Sequence, residues 1–230
     1  NLELRGAGRV LARIASFHAA HLAQLDKRAR AVPWSKVLLP EIPVRVEASC
    51  RKSRIYHSGA AAQRIATAIR EELGAPIEDA AGVTVMARIE NDLVTISVDT
   101  SGELLHKRGS KQAMARAPIR ETMAALLLRR CGYAGQEPVV DPMCGSGTFI
   151  IEAAEIALDL QAGRNRVFAF EQLAGFDASV CNTLRRSGKS GPLPFGFCGS
   201  DRDAGAIKAA LANAKRAGVE AVTRIEKKLV

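Results

Sequence analysis

The stretch "VVDPMCGSGTFIIEAAEIA", Val139 to Ala157, decides the fold of the second half of the chain. Its apolar start ends at Asp141, two glycines follow at Gly145 and Gly147, and a helical pattern begins after them. This order predicts a buried strand, a tight turn and a helix. Glycines in such a turn allow the chain to reverse sharply and a ligand to lie against the backbone.

The sequence after this helix predicts two more strands and one more helix. "FGFCGSD" indicates a strand, Asp203 suits the N-cap of a helix, and "VTRIEKKLV" indicates a third strand. Alternating strands and helices are typical of a parallel, doubly wound α/β sheet, which binds ligands at the carboxyl ends of its strands. Residues 160–195 then form an insertion between the first helix and the second strand.

Three kinds of ligand compete for the glycine turn. A nucleotide P-loop is excluded, because Gly145 and Gly147 are too close together and Phe149 stands where no lysine helps. A dinucleotide fingerprint is matched only in part, since Ile150 occupies the third glycine position. Asp141, in a turn without positive charge, instead suits a ligand with an amino group and hydroxyls, and S-adenosylmethionine has both.

Asp201 predicts the second half of the same site. It follows the second strand, where a carboxylate can accept hydrogen bonds from both hydroxyls of a ribose. A helix cap is the simpler interpretation of Asp201, but Asp203 suits that role better. We therefore interpret Asp141 and Asp201 as a pair that flanks one cofactor.

The first half of the chain predicts a small sheet with helices on one side. "PVRVEAS" alternates as a half-buried strand does, and Ser58–Leu73 has the apolar spacing of an amphipathic helix that Gly74 ends. Asn91 and Asp92 stand between two alternating runs and predict a hairpin. This α+β half joins the α/β half between residues 100 and 117.

The composition favours an acidic partner. The 230 residues carry a formal net charge of +9 with a pI of about 9.7, which suits binding to nucleic acid. Charge alone does not distinguish such a protein from a basic protein that has no acidic partner. The five cysteines are scattered, and the four histidines have no acidic or cysteine partners at ligand spacing. No apolar run approaches the ~18 residues of a transmembrane helix. We expect a cytoplasmic protein without a metal.

Several stretches resemble the THUMP-containing class I RNA methyltransferases. "DPMCGSGTFIIEAA" and "GSDRDAGAIKAALANAKRAGV" are similar to the cofactor motifs of that family, and closest to its large-subunit ribosomal RNA guanine-N2 methyltransferases. "RVEASCRKSRIYHSGA" resembles the late part of a THUMP domain, and "LLHKRGSKQAMARAPIRETMAALLL" resembles the join between the two parts. The resemblance implies an α+β THUMP-like domain over residues 1–100, a linker over 101–116 and a Rossmann-like class I methyltransferase domain over 117–230.

The resemblance also implies roles for individual residues. The cofactor would be S-adenosyl-L-methionine, and the substrate would be RNA, with ribosomal RNA the nearest match. Asp201 would hold the ribose, and Ala117–Glu121 would lie beside the cofactor. The residues implied to surround the cofactor are Asp141, Pro142, Met143, Cys144, Gly145, Ser146, Gly147, Thr148, Asp201, Arg202 and Asp203. Those implied to contact RNA phosphates are Arg51, Lys52, Arg54, Lys107, Arg108 and Lys111.

One motif of the family is absent from the sequence. Its catalytic tetrapeptide, Asn or Asp followed by Pro-Pro-aromatic, should follow a strand such as "VTRIEKKLV", where this chain ends. We therefore assign no catalytic residue, and we expect these 230 residues to be a piece of a longer protein and inactive alone. The motifs leave two alternatives open: a DNA adenine-N6 methyltransferase, or a module that binds RNA without catalysis.

Overall fold

The computed structural model describes residues 1–111, 119–186, 188 and 193–229. The chain divides into two compact units, named here by their sheets. The four-stranded unit consists of Arg9–Glu103 and Phe168–Ala178, and the three-stranded unit consists of Asn1–Gly8, Leu104–Val167 and Ser179–Val230.

The four-stranded unit has the α+β architecture that its sequence predicts. Its elements are β1 (Leu11–His18), α1 (Leu22–Arg30), β2 (Val44–Arg51), α2 (Ser58–Leu73), β3 (Val83–Glu90) and β4 (Leu93–Asp99). The sheet order is β1-β4-β3-β2, with β2 and β3 parallel and the other neighbours antiparallel. Apolar side chains at alternate strand positions pack against both helices on one face. The strand predicted in "PVRVEAS" and the helix predicted over Ser58–Leu73 are confirmed.

The hairpin predicted at Asn91 and Asp92 is also confirmed. Both residues adopt positive φ angles, 52° and 61°, as a two-residue turn between antiparallel strands requires. Asn and Asp tolerate this left-handed conformation better than most residues, which is why the turn could be predicted. Gly74, with a φ of 82°, ends α2 in the same conformation.

The three-stranded unit contains the predicted alternation of strands and helices. Its elements are α3 (Glu121–Arg130), β5 (Val139–Asp141), α4 (Thr148–Ala157), α5 (Ala178–Arg185, which begins at the unit boundary), β6 (Phe197–Asp201), α6 (Ala204–Ala217) and β7 (Thr223–Lys227). The strands are parallel in the order β5-β6-β7. Such a parallel sheet, with a helix crossing over between neighbouring strands, is Rossmann-like.

Helices α4 and α6 cover one face of this sheet. Ile150 and Ala210, one from each helix, are fully buried in the same cluster as Phe197 of β6. The other face is open at Val140, whose side chain is 73% exposed. A doubly wound sheet carries helices on both faces, so the described residues show one of its two outer layers at these strands.

Asp203 caps α6 as predicted. Its Oδ1 accepts hydrogen bonds from the backbone amides of Gly205 and Ala206, at 2.7 and 3.3 Å. The helix ends at Gly218, which has a φ of 71°. The capping residues therefore define both ends of the helix that follows the candidate site.

The units differ from the predicted division of the chain in two segments. Asn1–Gly8 belongs to the three-stranded unit, and Phe168–Ala178, part of the predicted insertion, belongs to the four-stranded unit. Backbone hydrogen bonds explain both, since the amide of Gly163 donates to the carbonyl of Leu2 and that of Phe170 to the carbonyl of Thr100. These bonds join residues far apart in the sequence, so no local pattern predicts them.

Candidate cofactor site

The turn after β5 is fastened to the end of β6 by hydrogen bonds. The amide of Cys144 donates to the carbonyl of Ser200 at 2.9 Å, and the amide of Gly147 donates to the carbonyl of Cys144 at 2.8 Å. At the start of the turn, Oδ1 of Asp141 accepts a hydrogen bond from the amide of Met143 at 3.0 Å. Asp141 therefore shapes the turn through an Asx-type contact as well as supplying a negative charge.

Asp201 holds the middle of this turn. Its Oδ2 accepts a hydrogen bond from the amide of Gly145 at 2.9 Å, and its Oδ1 accepts one from the amide of Asp203 at 2.9 Å. The hydrogen bond from the Asp203 amide, and after it the one from the Gly145 amide, hold the pKa of the Asp201 carboxyl below its usual value. An ionised carboxylate has about four lone-pair sites, so Asp201 retains acceptor capacity for the hydroxyls of a ligand.

Asp141 and Asp201 lie on the same face of the sheet. Asp141 pairs with Gly199 in the parallel register, and Asp201 is two residues beyond Gly199. Because side chains alternate between the faces of a sheet, both carboxylates share one face. Burial, followed by the negative charges of Asp141 and Asp201, raises the pKa of the Cys144 thiol to about 11. The structure thus brings the two carboxylates together, and their contact with a cofactor stays a prediction.

The two glycines of the turn serve different purposes. Both have positive φ angles, 54° at Gly145 and 84° at Gly147, which other residues adopt at a cost of ~1–2 kcal/mol. A Cβ on Gly147 would lie 3.1 Å from the Cβ of Ala210, so this glycine lets α4 begin close against α6. A Cβ on Gly145 would meet nothing within 4 Å. Of the two, Gly145 is therefore the one that offers bare backbone to a ligand.

Burial divides the other residues of the turn. Pro142 and Met143 are exposed, whereas Cys144, Ser146 and Thr148 are buried. The buried side chains can support the turn, but a ligand can meet these residues only through their backbone. Burial raises the pKa of Cys144 and so disfavours the thiolate that a nucleophile requires, which leaves the side chain to pack beneath the turn.

The two residues after Asp201 differ in whether their side chains are free of other roles and can contact a ligand. Arg202 is exposed, so its side chain is accessible to a ligand next to Asp201. The carboxylate of Asp203 is already engaged as the cap of α6. Of these two residues implied to surround the cofactor, Arg202 is therefore the one whose side chain remains available to a ligand.

A buried charge network on α4 escaped prediction from the sequence. Glu152 and Glu155 are each 2% exposed. Glu152 accepts a hydrogen bond from Arg5 at 2.7 Å, and Glu155 accepts one from Arg164 at 2.7 Å. Arg108 donates to Glu152 and lies 3.5 Å from Glu155. The sequence did contain one sign of this network: two acidic residues stand three positions apart in an otherwise apolar helix, and this spacing places both on the same side of it.

Arg108 and Lys111 are corrections to the predicted RNA contacts. The side chain of Arg108 is 3% exposed, because the buried carboxylates of α4 need a charged partner. The side chain of Lys111 is 12% exposed, and its Nζ donates to the carbonyl of Ile119 at 2.6 Å. Burial lowers the pKa of Lys111. Both cations are engaged with partners inside the protein, and we do not assign them to phosphate contacts.

The other predicted RNA contacts are exposed. The side chains of Arg51 and Arg54 are 69% and 78% exposed, and Lys52 and Lys107 are exposed as well. Of the segment Ala117–Glu121, predicted to lie beside the cofactor, residues 117 and 118 lie outside the described residues. The remaining part leads into α3.

Among the described residues, no group of three or more His, Cys, Asp or Glu side chains is arranged to hold a metal ion. In the same part of the chain, no helix combines the length and the apolar character needed to cross a bilayer. The candidate site offers carboxylates and backbone amides as its hydrogen-bonding groups.

Two family models match the chain. Residues 108–230 match the UPF0020 family, described as "RMKL-like, methyltransferase domain". The chain belongs to the UPF0020 family. Residues 19–99 match the THUMP domain, so the predicted family resemblance is confirmed for both parts of this UPF0020 protein.

The UPF0020 chain is similar to longer proteins. The "Ribosomal RNA large subunit methyltransferase K/L" of Syntrophotalea carbinolica is 36% identical over 241 residues, which cover 97% of this chain and 34% of that protein. A crystal structure from Listeria monocytogenes, "a predicted N6-adenine-specific DNA methylase", is 32% identical with a TM-score of 0.85, covering 99% of this chain and 62% of that one. "SMU.472, a putative methyltransferase complexed with SAH", is 28% identical with a TM-score of 0.78, covering 99% and 63%. The chain therefore spans between about a third and two thirds of these proteins.

Proposed function

We propose that this chain is the cofactor-binding and RNA-binding part of an S-adenosylmethionine-dependent methyltransferase. Its proposed product is a guanine methylated at the exocyclic N2 of large-subunit ribosomal RNA. The observation that carries the proposal is the hydrogen bond between the amide of Gly145 and the ionised carboxylate of Asp201, which forms a polar turn at the strand ends. The Syntrophotalea relative, a ribosomal RNA large subunit methyltransferase K/L by name, and the SAH bound to SMU.472 support the same assignment.

The residues of the turn fit S-adenosylmethionine. The open space at Gly145 would let the methionine part approach the backbone closely. Asp201 would accept hydrogen bonds from the ribose hydroxyls with the lone pairs that Gly145 and Asp203 leave unused. Asp141, on the same face of the sheet, would supply negative charge for the amino group. Arg202 is exposed beside Asp201 and would lie near the adenine.

When bound, the cofactor would supply an electrophilic methyl group for direct in-line transfer to the guanine amine. The contribution of the protein is then mainly positioning, since reacting atoms held ~3–3.5 Å apart and aligned react without further ordering. Gly145, in the turn between β5 and α4, and Asp201, at the end of β6, would provide the cofactor's half of that geometry. A base within a duplex would have to leave its stack to reach the methyl group. We assign no catalytic residue to the described ranges.

RNA is the proposed substrate because of the charge and the THUMP match. The net charge of +9 suits a polyanion, and the exposed cations Arg51, Lys52 and Arg54 lie within the matched residues 19–99. We assign these three and the exposed Lys107 to phosphate contacts. Such contacts carry no sequence information and make affinity fall as salt increases. We place the protein in the cytoplasm.

A label-transfer assay on the full-length protein tests the proposal. The protein is incubated with methyl-labelled S-adenosylmethionine and with either ribosomal RNA from cells that lack the modification or DNA, and the nucleosides are identified by mass spectrometry. We expect N2-methylguanosine in the RNA. Asp201→Ala should strongly reduce the product, whereas Arg224→Gln, at a side chain 76% exposed on β7, should leave it at the wild-type level.

The same assay separates the proposal from its alternatives. The description of the Listeria structure as an N6-adenine-specific DNA methylase motivates the DNA arm. Label found only as N6-methyladenine in DNA would overturn the assignment to RNA. Binding of both RNA and cofactor without transfer of label would instead identify a module without catalytic activity.

A further inference from the structure

Tyr56 stands out among the aromatic residues because its ring lies in solvent. The residue is 85% exposed, whereas every other Phe, Tyr and Trp of the chain is buried or half-buried. It lies in the loop between β2 and α2, within the THUMP-matched residues. A tyrosine combines a large apolar ring with a polar tip, which is why exposed tyrosines are common in binding surfaces.

The loop that carries Tyr56 is tied to the neighbouring hairpin. The amide of Arg54 donates to Oδ1 of Asp92 at 2.7 Å, and the amide of Asp92 donates to Oγ of Ser53 at 3.0 Å. Oγ of Ser53 in turn donates to the carbonyl of Arg51 at 2.9 Å. These bonds hold the backbone before Tyr56 in one conformation.

The neighbours of Tyr56 on both sides are fixed as well. Ile55 is 4% exposed and belongs to the apolar core of the unit. His57 caps α2, because its Nδ1 accepts a hydrogen bond from the amide of Ala60 at 3.0 Å. Tyr56 is therefore presented from a preorganised backbone, and ligand contact needs little further ordering of the loop.

Three cations precede the ring, one at the end of β2 and two in the loop itself. Arg51 lies 3.8 Å from Glu90 and Arg54 lies 3.6 Å from Asp92, and Lys52 is exposed between them. Exposed ion pairs at such distances contribute little, and each guanidinium has further N–H groups that a phosphate oxygen can use. The loop thus combines positive charge with an exposed ring, which is the chemistry of single-stranded nucleic acid binding.

We propose that Tyr56 stacks on an unpaired base of the RNA while Arg51, Lys52 and Arg54 contact the adjacent phosphates. The loop then selects single-stranded RNA over a duplex, because the bases of a duplex stack on one another and leave no face for Tyr56. This inference rests on the proposed function, since it names the form of the RNA that the THUMP-matched part binds. Stacking is tolerant of base identity, so the loop selects a strand state rather than a sequence.

Matched variants test this inference with a short unstructured RNA that carries 2-aminopurine at one position. Binding is followed by anisotropy, and stacking by quenching of the 2-aminopurine fluorescence. Tyr56→Ala should weaken binding by about 5- to 150-fold, the effect of losing one base–aromatic stack, and should abolish the quenching. Tyr56→Phe keeps the ring and should bind within about twofold of the wild type.

A second pair of variants tests the cations. Arg54→Gln should lower affinity and reduce the slope of log affinity against log salt by about 0.7, the value for one phosphate contact on a single strand. Arg224→Gln is the matched control, because its side chain is 76% exposed and lies 3.3 Å from one carboxylate, much as Arg54 does. It should change neither quantity.

Three results of the binding assay would overturn the inference: Tyr56→Ala binding as tightly as the wild type, Tyr56→Phe losing as much affinity as Tyr56→Ala, or duplex RNA binding as well as the single strand. The melting temperature and the S-adenosylmethionine affinity of each variant verify folding, and both should stay at wild-type values. RNA methylation that is insensitive to Tyr56→Ala would remove this inference and leave the proposed function standing. Absence of RNA methylation by the wild type would remove the proposed function, whatever the stacking assay shows.

Discussion

The backbone amide of Gly145 and the carboxylate of Asp201 lie 2.9 Å apart, although 56 positions separate them in the sequence. This hydrogen bond joins the turn after β5 to the end of β6, so the two strand ends of the candidate site are held together. Asp201 thereby shapes the turn and, in the proposed function, accepts hydrogen bonds from the ribose. A substitution at Asp201 therefore affects both the turn and the ligand.

Asp201→Ala is expected to weaken S-adenosylmethionine binding about tenfold to 100-fold. A hydrogen bond to a charged group is worth ~1.5–3 kcal/mol, and about 1.4 kcal/mol corresponds to a factor of ten. Isothermal titration calorimetry measures the affinity. Glu220→Ala, which removes an exposed acidic residue elsewhere in the three-stranded unit, serves as the control and should bind like the wild type. Equal affinity of Asp201→Ala and the control would remove Asp201 from the site.

Gly145→Ala and Gly147→Ala should have different effects. Both substitutions place a side chain at a positive φ, but Gly147→Ala also presses a methyl group against Ala210 at 3.1 Å. We expect Gly147→Ala to lower the free energy of unfolding by about 2–5 kcal/mol, the sum of strain and overpacking. Gly145→Ala should cost about 1–2 kcal/mol and reduce cofactor affinity, because its methyl group enters the space left for the ligand.

Urea denaturation and calorimetry with S-adenosylmethionine separate the two glycines. Each variant serves as the control for the other, since both carry the same substitution in the same turn. If Gly145→Ala bound the cofactor like the wild type, its bare backbone would have no part in binding. If the two variants were equally stable, the contact with Ala210 would not constrain the helix start.

The stability of the turn should depend on pH through Asp201. Its folded pKa lies below the usual value of 3.8, so its contribution is fully present above about pH 4 and is lost as the pH falls through the folded pKa. Asp201→Asn cannot titrate, so the difference in unfolding free energy between wild type and variant should shrink as the pH falls below about 4. Urea denaturation at several pH values measures this difference. A constant difference would show that the amides of Gly145 and Asp203 do not favour the charged form.

Glu152→Gln is expected to lower the free energy of unfolding by about 3–5 kcal/mol. The substitution keeps the shape of the side chain but removes the nearer of two carboxylates from the buried Arg5 and Arg108, and leaves Glu155, at 3.4 and 3.5 Å, to compensate both charges. Chemical denaturation followed by circular dichroism measures the loss. Glu226→Gln, which removes a surface partner of Arg224 and Lys228, should have a much smaller effect, because water screens that ion pair. A comparably small effect of Glu152→Gln would mean that the network is not important for stability.

Local patterns in the sequence determined the secondary structure and the candidate turn. The helix Ser58–Leu73, the hairpin at Asn91 and Asp92, and the cap at Asp203 follow from periodicity and backbone preferences of neighbouring residues. The position of Asp201 at the end of a strand could be predicted for the same reason, since the residue closes the predicted strand "FGFCGSD". Such features are encoded within a few positions, so a single sequence is enough to predict them.

Only the tertiary structure decided which of two similar residues packs inside the protein and which stays open to solvent. Lys107 and Arg108 are adjacent cations, yet Arg108 is buried because Glu152 and Glu155 require its charge. Gly145 and Gly147 lie in the same turn, and it is the distant Ala210 that makes one a packing residue. Burial and close packing depend on contacts between residues far apart in the chain, and no local period carries that information.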